Sequence, residues 1–252
     1  MEYLLQNNTF PLIYKIGVYE FYKRENEMER TIDLLEISDG KIYGLNDMVK
    51  VCADHCKGCS ACCHGRGDTI TLDPYDVYQL KKGLGLSFEQ LLNSAVTLGV
   101  VDGLIRPSMA MLETGKTDAN GEPDSQCVFL NEEGRCNIHG FRPGLCRLFP
   151  LGRIYEDGKI GYILLKDECA RENRTKEKVH KWIGLPDMAS YEKYLFEWHD
   201  FLKRLAEAAG QESEEVAKQA NMYILQKFYM EDFAEGFYED FYKRLEIAKM
   251  LL

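Results

Sequence analysis

Cys56-Lys57-Gly58-Cys59-Ser60-Ala61-Cys62-Cys63 sets four thiols into eight residues in the pattern CxxCxxCC. A fifth cysteine, Cys52, stands four positions upstream, and Cys127, Cys136, Cys146 and Cys169 follow. Thiols gathered this way organise a chain around a metal. Two local geometries suit the run. As a helix it carries Cys52, Cys56, Cys59 and Cys63 on one face. As a loop, the Cys-x2-Cys-x2-Cys spacing wraps a compact cluster and turns backbone N–H groups toward the sulfurs. In either geometry the adjacent Cys62 and Cys63 point in different directions. His64-Gly65-Arg66-Gly67 then ends any helix, because glycine is a poor helix former.

The composition says which frame these thiols belong to. At 252 residues, with 45% hydrophobic and 29% charged residues, the chain is long enough and apolar enough for a globular core. No apolar run approaches bilayer length. Met1-Glu2-Tyr3-Leu4-Leu5 lacks the basic start and long apolar stretch of a signal peptide, so a cytoplasmic location is expected, where disulfides are rare. The cysteine count of nine is odd, which also favours metal binding over a disulfide framework. The formal net charge of −10 argues against nucleic acid as a partner. Positive charge nevertheless exceeds negative over residues 135–182, the cysteine-bearing part, while residues 183–252 are acidic.

Local patterns give the expected elements. A helix is read over roughly residues 20–37, with a turn at Ser38-Asp39-Gly40. Asp73-Pro74 is a helix start, Asp73 as N-cap and Pro74 in the first turn, for a helix running to about Lys82 and stopping at Gly83. Ser87-Phe88-Glu89-Gln90 is a capping box that launches a second helix ending near Gly99. Met109–Leu112, Cys127–Leu130 and Ile160–Leu165 read as short strands, and Thr114–Ser125 as an exposed loop. From Ser190 onward, three apolar stripes at helical spacing begin at Tyr191, Val216 and Phe233. The fold expected is mainly α with a few short strands. Residues 51–182 form a compact cysteine-cluster metal domain, residues 1–50 pack on it, and residues 183–252 are a helical region offering a surface to a protein partner.

Thiolate is a soft ligand that suits zinc and iron–sulfur clusters. Zinc fingers pair one CxxC with a second, and the distal cysteines here are too widely spaced for that. Iron–sulfur ligation accepts a distant cysteine beside a CxxCxxC loop, so an iron–sulfur cluster, 4Fe–4S among the choices, is favoured over zinc. Arg135, Arg142, Arg147 and Arg153 are positioned in sequence to offset its negative charge. Cys52, Cys56 and Cys59 also spell CxxxCxxC, the three-ligand spacing of radical-SAM enzymes, but no succession of βα units surrounds it. His64 and His139 lie within three residues of a cysteine. For each, a solvated or hydrogen-bonded ring is the commoner outcome than a ligand. No catalytic residue is assigned.

Cys56–Cys63, Cys127-Val128-Phe129-Leu130, Gly134-Arg135-Cys136-Asn137-Ile138 and Arg142-Pro143-Gly144-Leu145-Cys146-Arg147-Leu148-Phe149-Pro150 together resemble the bacterial CxxCxxCC cysteine-cluster family, over roughly residues 52–170. That resemblance implies zinc or iron chelation. Carried over position by position, it implies Cys56, Cys59, Cys62, Cys63, Cys127, Cys136, Cys146 and Cys169 as metal ligands and leaves Cys52 outside. Arg142, Pro143 and Arg147 belong to the matching motif, and we read the two arginines as neutralising thiolate charge or contacting an anion. A partial similarity to flagellin lysine N-methylases implies the alternative of a SAM-dependent protein-modifying enzyme. A third alternative is a purely structural zinc module.

Overall fold

Val49 and Val51 alternate with Met48 and Lys50, and that two-residue period makes Met48–Cys52 a strand with both valines buried. A computed structural model describes residues 34–52, 59–117, 121, 123–156, 158–166, 168–169, 171, 173–210 and 213–250. In chain order the elements are α1 (Leu34–Ile37), β1 (Ser38–Tyr43), β2 (Met48–Cys52), α2 (Pro74–Leu84), α3 (Phe88–Leu92), β3 (Val96–Val101), β4 (Leu104–Met109), β5 (Met111–Thr117) and β6 (Pro123–Cys127). They continue with α4 (Gly144–Leu148), β7 (Leu151–Glu156), β8 (Lys159–Leu165), β9 (Thr175–Lys178), α5 (Val179–Ile183), α6 (Met188–Ala209), α7 (Glu214–Ile224) and α8 (Phe237–Lys249). Of the expected helix over 20–37, only residues 34–37 fall among the described ones, and they are helical.

The mainly α expectation is overturned. Helices take 44% and strands 28%, and the nine strands among the described residues form small antiparallel sheets, so the fold is mixed α/β. β1, β8 and β7 make a three-stranded sheet in that order, while β2–β9, β3–β4 and β5–β6 pair separately. The second expected helix shows why. Its capping box forms, with Ser87 Oγ accepting from Gln90 N and Gln90 Oε1 from Ser87 N, but the helix ends after Leu92. Beyond it Val96, Thr97, Val100 and Val101 prefer a pleated backbone. Asp102 and Gly103 then take φ of 52° and 73°, the two-residue turn that matches strand twist, and β4 returns antiparallel. The expected loop Thr114–Ser125 includes paired strand residues, since Glu113 faces Ser125 across β5–β6. The expected turn at Ser38-Asp39-Gly40 is part of β1, where the register shifts between Ser38 and Ile42 and Gly40 has φ +75°.

Where the sequence carries strong helix signals, helices form. Asp73 caps α2 through a reciprocal box with Asp76. The helix passes Gly83 instead of stopping there. The Phe141 ring packs where a side chain would be, 2.5 Å from the position of a Cβ, so glycine is needed for packing. Gly85, left-handed at φ +67°, ends the helix. α6, α7 and α8 follow the predicted stripes, although Val216 is exposed. Among the described residues, no helix is long and apolar enough to cross a membrane.

The C-terminal helices share one hydrophobic core with the cysteine-bearing segments, from Val49 to Ala248. Aromatic rings join α2 to α6 and α8: Tyr75 meets Phe237 at 4.9 Å and Tyr194 meets Phe241 at 4.7 Å, both edge-on. Such pairs contribute about 0.5–1.5 kcal/mol each beyond burial. α7 is tied to the β3–β4 turn by Asn221, which donates to Gly103 O (2.8 Å) and accepts from Ile105 N (2.7 Å). Asn221 is buried. Asn221→Ala strands both backbone groups and is expected to cost about 1–3 kcal/mol. A lower urea midpoint at unchanged slope would register it.

Candidate metal centre

Backbone pairing carries the clustered thiols to a distant strand. Ala61–Cys63 is a single 3-10 turn closed by Cys63 N donating to Ser60 O at 2.8 Å. The chain then bridges to β6: Gly65 N donates to Ser125 O at 2.8 Å, and His64 lies opposite Gln126. Cys127 ends that strand, so the pairing brings Cys63 and Cys127 to one place. The loop after Cys127 folds back on itself. Asn131 Oδ1 accepts from Glu133 N and Arg135 N, and Asn137 N donates to Phe129 O, which returns Cys136 to Leu130. Cys146 arrives on α4.

Six thiols, those of Cys59, Cys62, Cys63, Cys127, Cys136 and Cys146, line one cavity of about 650 Å³. The seven described cysteines at 59, 62, 63, 127, 136, 146 and 169 are free thiols. A hydrogen bond from Cys63, with the Arg66 charge adding to it against burial, lowers the Cys62 thiol to about 7. The same bond raises the Cys63 thiol, and burial raises those of Cys127, Cys136 and Cys146. The thiols line a shared wall without meeting at a point. Among the described residues, no three His, Cys, Asp or Glu side chains are grouped closely enough to hold one metal ion. The donor set fits a soft metal centre in its chemistry: six soft thiols, each partly buried, with Arg66 and Arg142 beside them to balance thiolate charge.

The family CxxCxxCC, described as "Putative zinc- or iron-chelating domain", matches residues 55–170. The chain is similar to that domain over a little under half of its length. The cysteine cluster is thus a metal-binding feature of this chain. No curated protein matches, and no solved structure does.

Within the matched residues the Arg142–Pro150 segment is held mainly by hydrogen bonds. Arg147 donates from Nε to Arg142 O (3.0 Å) and from Nη2 to Gly140 O (2.7 Å). It therefore clamps the turn before Cys146. Arg142 lines the cavity, donates to His139 O at 2.7 Å, adds to the lowering of the Cys62 thiol, and opposes the burial that raises the Cys136 thiol. His139 also lines the cavity, and burial followed by the Arg142 charge lowers its pKa. His64 faces Asp124 at 3.5 Å. Trp182 Nε1 donates to Leu148 O and Phe149 O at 3.2 and 3.1 Å, fixing the far end of α4.

The remaining candidates fall elsewhere. Cys56 lies outside the described residues. Cys52 ends β2, its backbone opposite Thr175. Cys169 is not in the cavity wall, but its neighbour Glu168 pairs with Arg66 at 3.1 Å. Arg66 in turn lies 5.0 Å above the Phe149 ring. One guanidinium thus links the segments bearing Cys63, Cys146 and Cys169. Two residues that pattern reading passed over also serve the centre, Arg66 and Asp76. Asp76 was visible as the third residue of the α2 capping box, but its contact with Gly144, 68 positions away, has no local signature. The Arg66–Glu168 pair is mostly buried, at 12% and 15% exposure, so breaking it leaves an uncompensated charge. Glu168→Ala is expected to cost about 3 kcal/mol. Chemical denaturation beside wild type measures this.

Proposed function

We propose that this chain holds an iron–sulfur cluster in preference to zinc, on ligands drawn from Cys56, Cys59, Cys62, Cys63, Cys127, Cys136, Cys146 and Cys169, and that the centre is redox-active. The observation that carries the proposal is the shared cavity, onto which segments far apart in sequence each bring a thiol. Four donors at ~2.3 Å from a single zinc ion lie within ~4 Å of one another. Thiols spread round a wall suit a polynuclear cluster better, and the CxxCxxC run with a distant cysteine suits it too. A bound cluster would supply one-electron chemistry. The chain's own residues exclude water through the shared core, balance charge through Arg66 and Arg142, and set the approach of Cys146 through Asp76 and Arg147. A cytoplasmic location belongs to the proposal, because free thiols persist in a reducing compartment.

A second reading, an enzyme acting on a bound substrate beside the centre, is favoured by one observation. The cavity continues past the thiols to Arg153, Trp198 and His199. A centre used only for folding would be closed. Anaerobic purification followed by iron, zinc and acid-labile sulfide analysis, with visible and EPR spectra before and after reduction, tests the proposal. Iron with matching sulfide and a bleachable visible band is the expected result. Stoichiometric zinc in a colourless protein would refute the iron–sulfur assignment.

A further inference from the structure

The cavity has a second end, built on different elements from the first. Arg153, on β7, lines it together with Tyr155, Trp198 and His199. Arg153 Nη1 is fully enclosed and has no hydrogen-bond partner among the described residues. A guanidinium does not deprotonate in a protein, and although the Asp73 and Asp76 charges bear on Arg153, an enclosed N–H left without an acceptor carries a desolvation penalty. The carboxylates at hand are already engaged. Asp73 accepts from Asp76 N at 2.9 Å and from the Tyr194 hydroxyl, as the cap of α2. Glu192 accepts from the hydroxyl of Tyr162, the residue facing Arg153 across β7–β8.

Arg153 is not among the charges that bear most on the thiols. The cations that bear on the thiols are Arg66 and Arg142, whereas the groups that bear most on Arg153 are Tyr155, Tyr191, Tyr162 and Asp73. The wall around it suits a flat ligand body. Tyr155 and His199 stack at 3.9 Å and 6°, and Trp198, Leu195 and Leu202 complete an apolar surface. We propose that Arg153 binds the oxyanion of a small organic acid, a carboxylate or a phosphate monoester, whose apolar body lies against Trp198 and the Tyr155–His199 stack. The planar guanidinium fork recognises both oxyanions, and the cavity volume is in the range of small-molecule sites. This proposal adds a ligand class to the cavity and does not depend on which metal the thiols hold.

The chain supplies its own reporter, because its two tryptophans, Trp182 and Trp198, both line the cavity. The anaerobically purified full chain is titrated with phenylacetate, phenyl phosphate and inorganic phosphate at constant ionic strength, with fluorescence read out and metal content measured on each sample. Saturable quenching by at least one probe is expected. Phenylacetate alone would assign a carboxylate ligand, and phenyl phosphate or phosphate alone a phosphate one. Arg153→Met is expected to bind the effective probe at least tenfold more weakly, with metal content unchanged. In anion-free buffer it should unfold no earlier than wild type, since an enclosed N–H without an acceptor has been removed. Arg153→Lys keeps the charge and loses the fork; it should bind more weakly than wild type, and it decides the matter if the methionine variant does not fold. Absence of saturable binding by wild type in the millimolar range would overturn the proposal. Equal binding by wild type and a folded variant would do the same. Metal content measured in parallel distinguishes that failure from failure of the iron–sulfur reading.

Discussion

Cys62→Ser is expected to leave the chain with at least tenfold less bound metal than wild type. Cys62 is the thiol whose charge reaches most of the others: Cys63 donates to it, and its charge bears on Cys63, Cys127, Cys136 and Cys146. A serine hydroxyl has nearly the same shape but is a hard, neutral donor, so packing is kept and soft ligation is lost. Because metal binding to such sites is coupled to folding, the loss should also appear as instability. Zinc-finger sites set the scale at about 10–16 kcal/mol of binding energy. In this chain the C-terminal helices keep their aromatic core, so a lower melting temperature is expected, with helical signal retained below it. Elemental analysis with circular dichroism, and Cys52→Ser as the control that keeps its metal, reads the result. Equal metal in the Cys62→Ser variant would show that this thiol is no ligand.

Gly144→Ala should be nearly as damaging, by a different route. A Cβ at 144 would collide with the Tyr191 hydroxyl, and Tyr191, on α6, is buried against Tyr75 of α2. The backbone has no freedom to yield, because Gly144 N donates to the buried Asp76 carboxylate at 2.7 Å. Overpacking costs about 1–3 kcal/mol, and a strained hydrogen bond to a charged acceptor about 1.5–3 kcal/mol more. A total near 4 kcal/mol would leave a marginal domain largely unfolded. Since Cys146 sits two residues on, metal content should fall with stability. Denaturant unfolding and metal analysis on the same sample check both. A variant with wild-type stability would show that the junction between α2 and α4 is more forgiving than its contacts imply.

Local chemistry was legible and long-range pairing was not. Asp73-Pro74, Ser87 with Gln90, and the apolar stripes from Tyr191 onward each announce a helix within a few residues, and the structure has those helices. Val96–Gly99 was misread because the helix launched by the capping box was carried past Leu92 into the residues that open β3. β2 and β9 find each other across more than a hundred residues, and neither contains more than five residues of pattern. The cysteines themselves were plain, and six of them do share a cavity. What sequence could not supply was the scaffold around them. Arg66 meets Glu168 and Asp76 meets Gly144 through tertiary contacts alone, and nothing in spacing or periodicity marks either pair. The far end of the cavity was hidden for the same reason, since Arg153 and Trp198 come together only once β7 packs beside α6.

Iron and zinc K-edge X-ray absorption on the anaerobically purified chain tests the metal centre most directly, since it reports the element, its donors and any second metal together. An iron edge with a sulfur shell and a resolved iron–iron shell is the predicted spectrum. A zinc edge at one equivalent with no iron, or an iron site with only nitrogen and oxygen neighbours, would contradict it.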